Sequence, residues 1–218
     1  TYEWLDDGGA SLGSSNPLQL DPTMGVDGDG ISCVATATDA NSGVATDTAT
    51  HTITNTPPVV DSMSITPSAP DALTSTLTCV ASGSDADGDT VTFNYEWLVD
   101  TVTQSETSNL FSTAFVVGSV ISCRTTPTDG KDTGNTEQVD VTIENTVPVV
   151  DSITLSPSSV YTNDVITATV VLSDVDSSQS GSLSATYDWY VDGATTPVQS
   201  GSSNTLDGAT HFDRGQDV

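Results

Sequence analysis

The chain has 218 residues, 30 acidic side chains against three basic ones, and a formal charge of −27. With so few cations it has nothing with which to engage a phosphate backbone or an anionic lipid surface, so nucleic acid and membrane surfaces are excluded as partners. No stretch has the length and apolarity of a transmembrane helix, so direct membrane insertion of this segment is not expected either.

The acidity is carried by 25 Asp and only 5 Glu. Asp places its carboxylate on a short stem, which suits turns and hard-cation coordination. A chain this negative repels itself unless salt or cations screen it, which points to a saline or calcium-rich exterior.

Three markers recur in a fixed order about 90 residues apart. Tyr2-Glu-Trp4 returns as Tyr95-Glu-Trp97 and as Tyr187-Asp-Trp189. Ile31-Ser-Cys33 returns as Ile121-Ser-Cys123, and Asn55-Thr-Pro-Pro-Val-Val-Asp-Ser62 returns as Asn145-Thr-Val-Pro-Val-Val-Asp-Ser152. This is a tandem array of one module. Residues 1–55 form the C-terminal part of one copy, 56–146 a complete copy, and 147–218 the N-terminal part of a third. The chain opens inside a module, so we expect an upstream segment.

In chain order, the first partial copy supplies an Asp27-Gly-Asp29 loop, the Ile31-Ser-Cys33 strand and a last strand holding His51. The middle copy then begins with a strand at Val59–Ile65, after a Pro-Pro pair. Leu73, Leu77, Cys79 and Ala81 share one parity and predict the second strand. Asp85-Ala-Asp-Gly-Asp89 is a loop. Val91, Phe93, Tyr95, Trp97 and Val99 alternate as the most strongly patterned strand. Leu110–Val117 supplies further strand, Ile121, Cys123 and Thr125 alternate in the next, and Asp129-Gly130 turns the chain. Val139, Val141 and Ile143 close the copy. About seven short strands with no sustained helical period predict an all-β fold of antiparallel β-sandwich modules.

Asp85, Asp87 and Asp89 alternate around Gly88, so their carboxylates can converge on one cation that relieves their repulsion. An EF-hand is rejected, because Thr90 stands where the loop requires Gly and the residues after Val91 alternate as a strand. His51 is in phase with Val141 and reads as structural, His211 has no counterpart among the repeats, and no Gly-x-Ser-x-Gly surrounds any serine. Trp4, Trp97 and Trp189 share one module position and read as core residues. We expect no enzymatic activity.

The order Cys79, Trp97, Cys123 resembles that of immunoglobulin-like domains. The Asp-Gly-Asp loop followed by Phe-Asn-Tyr-Glu-Trp-Leu-Val-Asp resembles bacterial and archaeal surface-protein repeats of the immunoglobulin-like, PKD-like and cadherin-like group. Cys79 and Trp97 are further apart than in antibody domains, because the acidic loop between them is longer. The resemblance implies a disulfide between Cys79 and Cys123. Cys33 matches Cys123, and its partner would lie upstream of Thr1. Ala168 replaces Cys79 in the third copy, which should lack the bridge.

The same arrangement would bring the start of the middle module, its 85–89 loop and its 129–132 loop to the end that faces the preceding module. We therefore expect calcium at this first joint, held by Asp85, Asp87 and Asp89, with Asp61, Asp129, Asp27 and Asn55 as further candidates. The second joint keeps only Asp174 and Asp176 of the corresponding loop, Ser173–Ser177, and Gly118-Ser119 supplies no carboxylate. It should bind calcium more weakly or not at all.

The linkers Asn55-Thr-Pro-Pro58 and Asn145-Thr-Val-Pro148 are short and proline-stiffened, which favours a rod. The expected role is structural: a segment of an extracellular, cell-surface filament or rod of a prokaryote, disulfide-locked and calcium-stiffened. Its partners would be further copies of the module in the same or neighbouring chains, with homopolymer formation possible. The alternatives are an adhesin stalk, or a polysaccharide-associated accessory region of a secreted hydrolase. The latter would need an exposed aromatic row, which the pattern does not supply.

Overall fold

The computed structural model describes residues 1–176 and 181–218. The end of the second acidic loop, at Ser177, lies outside the described residues. The strands are β1 (Tyr2–Leu5), β2 (Ser11–Gly13), β3 (Gly30–Thr38), β4 (Val44–Thr52), β5 (Val59–Thr66), β6 (Leu77–Ser84), β7 (Thr92–Val99), β8 (Val102–Thr103), β9 (Leu110–Phe111), β10 (Val120–Thr128), β11 (Glu137–Thr142), β12 (Val149–Ser156), β13 (Val165–Ser173), β14 (Tyr187–Trp189), β15 (Gln199–Gly201) and β16 (Thr205–Asp207). Among the described residues there is one short helix, α1, at Gly208–His211. The fold is all-β, and the strands pair antiparallel.

The chain divides into two compact units. Unit 1 gathers residues 1–68, 76–112 and 120–141. Its first sheet has the order β2-β1-β3-β4. Two further sheets, β5-β6-β9 and β11-β10-β7-β8, belong to the middle repeat. The Cys79–Cys123 disulfide ties β6 of one to β10 of the other, with an Sγ–Sγ distance of 2.09 Å. That arrangement is compatible with a β-sandwich.

Around the bridge, Leu77, Cys79, Trp97, Phe111, Ile121, Cys123 and Thr125 are buried. Trp97 stacks on Phe111 with ring centroids 5.2 Å apart. Inward parity on β6, β7 and β10 builds this core, as alternation requires. On the outward side of the same pairing, Arg124 faces Glu96 and forms an ion pair of 3.2 Å.

Unit 2 gathers residues 69–75, 113–119 and 142–218. Its sheets are β12-β13-β16 and β14-β15. Ile166, Ala168, Trp189, Val191, Leu206 and Phe212 form its core, with Tyr187 packed against them. Ala168 is opposite Leu155 on β12, as Cys79 is opposite Ile65 on β5. A methyl group thus occupies the position of the bridging sulfur. Val150, Ile153 and Leu155 stay largely exposed. They line, with Trp189, an apolar groove of about 360 Å³.

The repeat markers occupy equivalent places. Cys33 is opposite Trp4 as Cys123 is opposite Trp97. Each indole N–H donates to a serine carbonyl: Trp4 to Ser15 at 2.8 Å, Trp97 to Ser108 at 2.9 Å, Trp189 to Ser203 at 3.4 Å. The indole donor of each tryptophan is thereby satisfied within its own repeat.

Four sequence expectations about strand limits are corrected. In the smallest, Val91 lies just before β7 and not in it. Leu73 is not in β6 but in a turn, 70% exposed, where the Asp71 carboxylate accepts from the Leu73 amide at 2.9 Å. An aspartate two residues back competes with strand pairing in this way. The strand expected over Leu110–Val117 ends at Phe111. Beyond it the chain turns, with the Ser119 amide bonded to the Val116 carbonyl at 3.1 Å. Ile143 lies just past β11, although it is buried.

Candidate functional site

The site grows from the turn between β6 and β7. The Asp85 carboxylate accepts from its own loop, from the amides of Asp87 at 2.8 Å and Asp89 at 3.2 Å. Gly88 sits at φ +81°, where a side chain is disfavoured. This fold-back presents Asp87 to the linker, and its Oδ2 accepts from the Thr56 amide at 2.6 Å.

Asn55 ties three segments together. Its backbone amide donates to Asp27 Oδ1 at 3.0 Å. Its side-chain Nδ2 donates to Asp129 Oδ2 at 2.8 Å and to Asp132 Oδ2 at 2.9 Å. Asp129 in turn organises the β10–β11 turn, its Oδ1 accepting from the amides of Lys131 and Asp132, each at 2.7 Å. The Asn55 hydrogen bond, followed by the Asp132 amide, pulls the Asp129 pKa down to about 2.

Lys131 closes the ring. Its Nζ lies 3.1 Å from Asp89 Oδ2 and 3.9 Å from Asp27 Oδ2. The hydrogen bond to Asp89 is the main reason its pKa is raised.

Of the residues read from the sequence, the structure brings Asp27, Asn55, Asp85, Asp87, Asp89 and Asp129 into one network. Asp61 stands apart, accepting from the Ser84 hydroxyl at 3.0 Å along the β5–β6 pair. Asp132 and Lys131 were missed as members. The Asp129–Asp132 spacing was visible, but that one asparagine spans both carboxylates was not.

Two oxygens in the network are buried without a hydrogen-bond partner: Asp85 Oδ2 and Asn55 Oδ1. Hidden acceptors of this kind cost free energy unless a cation, proton or water reaches them. They are also hard oxygen donors of the type calcium takes. Among the described residues, however, no three carboxylate, thiol or imidazole side chains stand in an arrangement that would hold a metal ion. The geometry gives a reason, since Asp27 and Asp89 converge on the Lys131 ammonium.

The second linker repeats the first. The Thr146 amide donates to Asp176 Oδ2 at 2.8 Å, and the Thr146 hydroxyl reaches the same oxygen at 2.8 Å. Asp174 accepts from the Asp176 amide at 2.8 Å, as Asp85 does from Asp87. Before each linker the chain is pinned in the same way. Gly28 donates to the Ile53 carbonyl and Ile53 to that of Asp29, while Gly118 donates to Ile143 and Ile143 to Ser119, at 2.8 to 3.0 Å. Asp176 is 2% exposed, and its Oδ1 has no partner.

His51 is exposed on β4, and His211 ends α1. No helix among the described residues is long and apolar enough to cross a membrane. No protein-family model matches the chain, and no curated protein matches it.

Proposed function

We propose that this chain is a structural segment of an extracellular prokaryotic filament or surface rod, built from tandem immunoglobulin-like modules whose joints are fixed. One observation carries the reading: each linker is hydrogen-bonded into the acidic loop that follows it, Thr56 to Asp87 and Thr146 to Asp176. A flexible tether would leave those amides to water. Two successive linkers locked by equivalent residues describe a device that repeats with the module.

As part of this reading we assign calcium to the first joint, whose carboxylates would have to rearrange around the ion, since they do not stand as a metal-holding group in the structure. The support is that Asp85 Oδ2 and Asn55 Oδ1 are buried without partners and would serve as donors, with Asp87, Asp89, Asp27 and Asp129 of the same network supplying charge. Bound calcium would offset the repulsion among these carboxylates and stiffen the joint. The second joint has fewer carboxylates in its loop and should bind calcium more weakly. The disulfide fits an oxidising exterior. The apolar groove beside Trp189 offers a surface for a strand from a further copy of the module, in the same or a neighbouring chain.

Two experiments test this. Electron microscopy of the native material should show thin filaments or projecting rods, and only globular particles would contradict it. Calcium titration of the chain should fill the first joint before the second. Equal occupancy at both joints, or none at the first in millimolar calcium, would refute the calcium assignment.

A further inference from the structure

The chain has a single lysine, and it is at the first joint. Its ammonium touches Asp89 of the middle repeat at 3.1 Å and Asp27 of the preceding one at 3.9 Å. The backbone of Lys131 is set by Asp129 Oδ1, and Asp129 Oδ2 is held by Asn55 Nδ2, whose own amide returns to Asp27. The contacts form a closed loop that crosses the repeat boundary and depends on one positive charge.

We propose that Lys131 is the resident counter-ion of this joint: its ammonium holds Asp27 and Asp89 together, and a divalent cation must displace it to take those carboxylates. A single exposed ion pair is worth little in isolation. Here the ammonium lies within a network that also holds Asp85, Asp87, Asp129 and Asp132, so its removal leaves like charges facing one another at close range. The lysine therefore keeps the joint closed without metal and sets the calcium concentration at which an ion takes over. The displacement half of the proposal rests on the calcium reading given above, while the counter-ion half stands on the contacts alone.

The test uses the whole chain with Lys131→Gln and Lys131→Arg. Hydrogen exchange at the Asn55 amide is followed by NMR in chelator and in calcium, and calcium affinity is measured by calorimetry. In chelator, K131Q should speed Asn55 exchange about tenfold or more, and K131R should restore slow exchange. Calcium should bind K131Q at least about tenfold more tightly than the parent chain and return Asn55 protection to it. Unchanged Asn55 exchange in K131Q, whatever calcium does, overturns the counter-ion role. Faster exchange with equal calcium affinity in K131Q and parent overturns displacement. Faster exchange with no calcium binding to either chain upholds the counter-ion and removes the calcium reading instead.

Discussion

Asn55 ties three carboxylates of the joint together. Both its amide hydrogens are given to carboxylates, at 2.8 and 2.9 Å, and its backbone N–H serves a third. Asn55→Ala should therefore cost about 1.5–3 kcal/mol, the range for hydrogen bonds to charged groups, read as a shift of the denaturant midpoint. It should also move Asp129. With a folded pKa near 2 against an ordinary 3.8, the ionised Asp129 stabilises the fold above the ordinary value and loses that contribution as pH falls toward 2. In N55A an NMR titration of the Asp129 carboxyl should show its pKa rising back toward 3.8. An unmoved Asp129 would mean that the backbone amides, not Asn55, hold the pKa down. The Asp-Gly-Asp loop was legible in the sequence because turn chemistry is local. The double use of Asn55 and the placement of Lys131 were not, because both join segments more than 70 positions apart.

Among the elements, period-two alternation was enough to place β7, β10 and the body of β6, and the Pro-Pro pair marked the start of β5. It failed where apolar residues serve turns. Leu73 lies two residues after an aspartate that captures its amide, and Val117 precedes a glycine at φ +83°. Hydrophobicity alone does not separate an apolar residue exposed in a turn from one in a strand. The disulfide between β6 and β10 spans 44 residues, so replacing both cysteines with alanine should cost about 4 kcal/mol in the chain-entropy model. Thermal unfolding of C79A/C123A checks this, and an unchanged midpoint would show that packing around Trp97 suffices. A second element-level test concerns the approach of the 127–134 turn to the linker. A Cβ at Gly134 would lie 1.9 Å from the Pro58 carbonyl oxygen and 2.9 Å from Pro127 Cγ. Gly134→Ala should cost about 1–3 kcal/mol as an overpacking change. Chemical shifts at Asn55 and Thr56 should move with it, since the linker must yield.

For the molecule as a whole, the composition carries the argument. A formal charge of −27 on 218 residues opposes any close joint between repeats. Each linker nevertheless engages the carboxylates nearest to it, through backbone amides and, at the first joint, through Asn55 and Lys131. The repeat order was readable from three short markers, and the disulfide pairing was implied by the resemblance to immunoglobulin-like domains. The hydrogen bonds and ion pairs that tie each linker to neighbouring carboxylates appeared only in the contacts. The central claim, a fixed first joint, is tested most directly by residual dipolar couplings from β3–β4 and from β5–β7 in calcium. The account predicts that one alignment tensor fits both sets. Two independent tensors of different magnitude would contradict it.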